Sequence, residues 1–155
     1  MTLASNYRPL EKSVWQGRVD DFEDRDAFRW HQVIEPVDLN ATGLKSLPAN
    51  QKGFCFLGFC CDEGVARNKG RRGASKAPLS IRKEMSNLPV YFEPSCRLFD
   101  AGDIIAENET HTATQMETAQ NALSEAVKQI LQLGLFPILL GGGHEIAFGH
   151  FRGIT

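Results

Sequence analysis

Long apolar runs are missing from these 155 residues. None approaches the roughly 20 residues that a membrane-spanning helix needs. The opening MTLASNYRPLEKSV also lacks the apolar core of a secretory signal. The sequence therefore carries the expectation of a cytoplasmic protein with no membrane partner. Excess charge is missing as well: 17 Lys and Arg stand against 19 Asp and Glu, a formal net charge of -2. That balance gives no global pull toward nucleic acid. Cysteine is sparse, with four residues and no CxxC pair. Adjacent Cys60 and Cys61 suit neither a zinc knuckle nor a disulfide framework. The thiols read as small buried hydrophobes, with a redox role for the vicinal pair as the alternative.

What is present is an ordinary globular composition, 42% hydrophobic and 23% charged. A chain of this length fits one domain that buries about two-thirds of its unfolded surface. Residues 1–50 are polar and aspartate-rich and show little periodicity. Trp15, Phe22, Phe28 and Trp30 sit there among charges. A solvated linker has no use for two tryptophans, so 1–50 is expected to pack as an irregular N-terminal arm. From residue 51 the pattern changes. GFCFLGFC, CRLFDAGDI and LFPILL are apolar runs of strand length, which places strands near 53–60, 96–101 and 135–140. Between them, APLSIRKEMSNL reads as a short helix with Pro78 in its first turn. Thr112 to Leu133 repeats apolar residues at helical spacing, with Thr112 and Gln115 in a capping-box pattern and Gly134 as the stop. HEIAFGHF opens a third helix. Strand–helix alternation means parallel pairing, hence an α/β fold of three layers with a parallel sheet and helices on both faces. Three parallel strands leave two naked edges, so residues 51–155 read as the N-terminal portion of an incomplete domain.

Ligands of open parallel sheets bind beyond the carboxyl ends of the strands. Three loops leave those ends: CDEGVARNKGRRGAS, DAGDIIAENETH and GGGHE. In the last, glycines let a strand turn sharply into a helix at His144. An imidazole there can ligate a metal or move a proton; capping or packing is the other reading. HExxH fails, because His144 and His150 are six apart. The first loop carries Arg67, Lys69, Arg71, Arg72 and Lys76, which suit an anionic substrate group or a solvated basic loop. Asp100 and Asp103, placed at the second strand's end, are candidates to approach a metal or to bond their own turn.

Taken together, CDEGVARNKGRRGASKAPLSIR, FDAGDI and LLGGGHEIAFGH resemble the successive strand-end motifs of the ureohydrolases, the arginase and agmatinase superfamily. WQGR, the NKGR loop and GGGHE are most similar to its formimidoylglutamase branch. The resemblance implies an arginase-like fold and a hydrolase acting on C–N bonds of linear amidines. It implies manganese-dependent conversion of N-formimidoyl-L-glutamate to L-glutamate and formamide, a step of histidine degradation. It also implies two Mn²⁺ per complete site, with His144 as the first ligand. Asn68 and Arg71 fall on the loop at the site's mouth, as substrate-binding residues; no catalytic residue is assigned. Ala77 departs from the glycine usual before Pro78. The family's remaining ligands, in a DAHxD-type and a DxD-type motif, should follow the GGGHE strand and helix. His31, His111 and His150 lie in neither motif. The expectation is thus an N-terminal half, inactive alone, with a small-molecule substrate and possible homo-oligomerisation. A non-catalytic interaction module, a truncated remnant, and an agmatinase or arginase-like hydrolase are the alternatives.

Overall fold

Buried strands organise the molecule. The computed structural model describes residue 3, residues 5–106 and residues 113–155. The central strand, β3 (Lys52–Cys60), is covered on both faces, which explains its unbroken apolar run. Alternation divides its side chains between two cores. Cys55, Leu57 and Phe59 join Leu123, Ala126, Val127 and Ile130 from helix α4 (Ala113–Gln132). Phe54 and Phe56 face the other way, toward Trp15 and Trp30 of the arm and toward Ile81 and Met85 of helix α3 (Ala77–Met85). Fully burying a side chain such as Leu57 or Phe59 stabilises by about 1.5–3 kcal/mol.

Strands β4 (Cys96–Ile105) and β5 (Phe136–Leu140) pair parallel with β3 on either side. The sheet is nonetheless mixed. Within the arm, β1 (Tyr7–Arg8) pairs antiparallel with β4, and β2 (Glu35–Pro36) pairs parallel with it. The arm also contains the single-turn helix α1 (Trp30–Val33). The expectation of two naked edges is therefore corrected. Two-residue strands of the arm occupy stretches of β4's outer edge, too short to leave any periodic trace in sequence. β5 has no outer partner among the described residues.

A second correction concerns β4, which was expected only near 96–101. It continues to Ile105 because Gly102, at φ 84°, absorbs an extra residue as a bulge. The register with β3 shifts between Phe56↔Asp100 and Gly58↔Asp103. A side chain at Gly102 would collide with the carbonyl oxygen of Arg8, so the bulge also admits the arm. Asp100 consequently lies within the strand and is fully buried, not at its end. Arg82 of α3 donates from Nε to Asp100 Oδ2 at 2.7 Å and from Nη2 to Asp100 Oδ1 at 2.9 Å. Its Nη1 reaches Asp103 at 2.7 Å. Trp15 Nε1 donates to the same Asp100 at 2.8 Å. One carboxylate thus joins helix, sheet and arm, and it is committed to structure rather than to a metal.

Candidate functional site

The strand order β4-β3-β5 puts β3, the first of the three long parallel strands, in the middle. The connection leaving β3 runs one way and that leaving β4 returns past it, so the topological switch point falls between β3 and β5. At such a point the loops at the carboxyl ends part and open a crevice. The loop leaving β3 and the GGGHE turn leaving β5 both lie there.

Backbone bonds join these two loops. Gly142 N–H donates to Ala74 O at 3.2 Å and Gly143 N–H to Cys61 O at 3.0 Å. Gly141 and Gly142 have φ of 63° and 86°, where a side chain is strained. Space forbids one too: a Cβ on Gly142 would stand 2.6 Å from Phe59 O, and one on Gly141 2.7 Å from the Ala77 methyl. That methyl is the Ala77 departure noted in the sequence, packed against the turn it faces. His144 follows, exposed, at the carboxyl end of β5 and just ahead of helix α5 (Ile146–Ile154). Its carbonyl accepts from Ala147 N at 3.1 Å and so begins the helix.

The loop leaving β3 is more ordered than its composition suggests. Helix α2 (Glu63–Arg67) starts it. Asp62, buried, then folds the basic stretch back by accepting from Gly73 N at 2.7 Å, Ser75 Oγ at 3.1 Å and Arg72 Nη1 at 2.9 Å. Arg72 also bonds Glu63, and Arg67 bonds Glu63 and Glu117. Two of the five cations expected to face an anion are thus spent inside the protein. Lys69, Arg71 and Lys76 have no ion-pair partner among the described residues. Asn68 and Arg71 are exposed on this loop, and their side chains make no hydrogen bond or ion pair there. Burial, then neighbouring Asp103, pushes the Cys60 thiol up to about 12. Burial above all, with Glu145 close by, pushes Cys61 up to about 11. All four cysteines are free, and these two are held as protonated thiols.

Among the described residues no three His, Cys, Asp or Glu side chains gather as a metal site. Asp100 and Asp103 are held by Arg82, Asp62 by its own loop, and Glu145 by Gly64 N–H at 3.1 Å. His31 bonds Arg18 O at 3.0 Å, and His111 lies outside the described residues. The residues present therefore fit manganese as one exposed imidazole donor and not as a complete two-metal set. Sequence reasoning missed Asp62 and Glu145. The latter stood in the sequence only as the last letter of GGGHE, with no role assigned to it.

Residues 52–155 match the model of the arginase family. A formimidoylglutamase from Clostridium tetani is 51% identical over 98% of this chain, and one from Geobacillus thermodenitrificans is 40% identical over 96%. In both cases the chain spans 43% of the relative's length. Among solved structures, Trypanosoma cruzi formiminoglutamase with Mn²⁺ superposes with a TM-score of 0.55 at 29% identity. That match covers 72% of this chain and 38% of the other. With its family match extending over all three parallel strands and the GGGHE turn, the chain belongs to the arginase family.

Proposed function

We propose that this chain carries the first part of a formimidoylglutamase, an enzyme that hydrolyses N-formimidoyl-L-glutamate to L-glutamate and formamide. The observation that supports this best is the 51% identity to the Clostridium tetani enzyme across nearly the whole chain. The His144 turn at the β3/β5 switch point agrees with it. His144 would supply one imidazole to a manganese site, whose other ligands would come from the DAHxD-type and DxD-type motifs that the family resemblance implies. Manganese, when bound, supplies Lewis-acid activation of water and of the amidine carbon. The chain's own part is to hold that imidazole at a glycine turn bonded to the neighbouring loop. Asn68 and Arg71, exposed on that loop, contact the substrate, with the Arg71 guanidinium suited to a carboxylate of the glutamyl moiety. In this reading residues 1–50 form the arm and 51–155 the beginning of the catalytic domain.

The test compares substrates on a protein that includes this segment and the family's remaining ligands. Formamide release from N-formimidoyl-L-glutamate is expected to exceed urea release from arginine or agmatine. Faster urea release would overturn the assignment. Arg71→Ala is expected to raise KM by about 10-fold or more while leaving kcat nearly unchanged, as for a contact made equally in ground and transition states.

A further inference from the structure

We infer that Glu145 is a positioning residue for His144, acting through a slot that two glycines on separate loops leave open for its carboxylate. This rests on the reading of His144 as a metal donor, and it assigns a purpose to the last letter of GGGHE. Three consecutive glycines give the turn no side chains with which to anchor itself. Its place is set by hydrogen bonds, and the side chain of the turn that takes part is Glu145: its Oε1 accepts from Gly64 N–H at 3.1 Å, and its carboxylate also meets the Cys61 thiol of the same neighbouring loop. The Glu145 carbonyl is held from the opposite side by Gln120 Nε2 of α4 at 2.9 Å. The residue next to His144 is therefore pinned at both its side chain and its backbone.

The slot shows in what would fill it. A Cβ on Gly143 would overlap Glu145 Oε2, and one on Gly64 would stand 2.7 Å from the same oxygen. Neither glycine has positive φ, so backbone strain does not demand them; the carboxylate does. A helix-capping acid is the simpler account of Glu145, and the structure speaks against it. Glu145 occupies the N-cap of α5, yet its side chain makes no cap hydrogen bond. The carboxylate is directed at the loop after β3 instead of at its own helix. The loss of one backbone N–H to a charged acceptor is then felt at His144, one residue away.

Three variants of the 155-residue chain test this by NMR: Glu145→Ala, Glu145→Gln and Gly64→Ala. In Glu145→Ala the Gly64 amide is expected to exchange about 10-fold faster or more, and the His144 ring to lose order on the fast timescale. Glu145→Gln keeps an Oε1 acceptor and is expected to restore most of both signals. Gly64→Ala should reproduce the His144 loosening with Glu145 intact, although alanine favours helix α2 where it sits. An unchanged Gly64 amide, or an unchanged His144 ring beside a faster Gly64 amide, would overturn the positioning role. Slower or faster exchange confined to α5 would return Glu145 to a helix-capping part and also overturn it. A separate arm adds Mn²⁺ alone to the unmodified chain. Selective broadening of the His144 ring supports the donor reading, and its absence refutes that reading while the ring-order result stands by itself.

Discussion

Two aspartates beside arginines illustrate how burial decides what a charge pair is worth. Asp100 and Arg82 are both almost fully buried. Burial opposes the charge on Arg82, but Asp100 and Asp103 outweigh it and hold the guanidinium charged. Replacing such a pair by apolar residues is often neutral, whereas removing one partner strands the other. Arg82→Met is expected to cost about 3–5 kcal/mol in urea denaturation, and Arg82→Met with Asp100→Leu to recover much of it. A single-variant loss below about 1 kcal/mol would mean that the pair is hydrated. Asp62 behaves differently. Burial pushes its carboxyl up, but the Gly73 N–H, Ser75 and Arg72 outweigh that and leave it below the ordinary Asp value. A carboxylate lowered by folding stabilises the loop above its unfolded pKa and loses that contribution as pH falls through the folded one. The Gly73 amide signal should therefore titrate with a midpoint below the ordinary Asp value of about 3.9, and Asp62→Asn should abolish the shift. A midpoint above the ordinary value would contradict the bonding described.

At the scale of elements, the pairing of α4 with α5 depends on two glycines one turn apart. A Cβ at Gly149 would stand 2.8 Å from Gln120 O, and one at Gly153 2.6 Å from the Val127 Cβ. Alanine gains up to about 1 kcal/mol of helix propensity over glycine, while forcing the helices apart costs about 1–3 kcal/mol. Gly153→Ala is thus expected to lower the denaturation midpoint, and Val127→Ala in the same chain to reduce its penalty. A rise in midpoint for Gly153→Ala alone would show that α5 is not closely seated. The three parallel strands and their helices were legible in sequence because double-sided burial writes continuous apolar runs, as in GFCFLGFC. The GGGHE turn was legible because glycine is costly where it is not needed. Other features left no such mark. The strands of the arm hold two residues each, and the bulge at Gly102 looks like a break. One partner of Glu145 is a backbone N–H in another loop, and a residue type does not encode such a bond. Asp100 was misread as a strand-end residue for the same reason, since its partners Arg82 and Trp15 are distant in sequence.

At the scale of the whole molecule, large apolar side chains are exposed both on β5, whose outer edge has no partner among the described residues, and on α5. Phe136 on β5 is 63% exposed, and on α5 Phe148, Phe151 and Ile154 are each more than half exposed. Unpaired edges and contiguous apolar residues favour association. The 155-residue chain is expected to elute as larger species with rising concentration, and Phe136→Lys with Phe151→Lys to shift it toward monomer. Elution as a monomer at all concentrations would contradict this. The metal balance points the same way. Two divalent cations at roughly 3.5–4 Å need several converging donors, largely carboxylates. His144 is exposed, and the carboxylates of β4, of the loop after β3 and of the turn itself are bonded to Arg82, to the Asp62 loop or to Gly64. A lone imidazole holds Mn²⁺ weakly, at the low end of the divalent series. Equilibrium dialysis of this chain against excess Mn²⁺ should find no tightly held pair, with no formamide release in the same sample. Two tightly bound ions with turnover would require Asp103 or Glu145 to leave its present partner, and Arg82 or the Gly64 N–H would then have to find another.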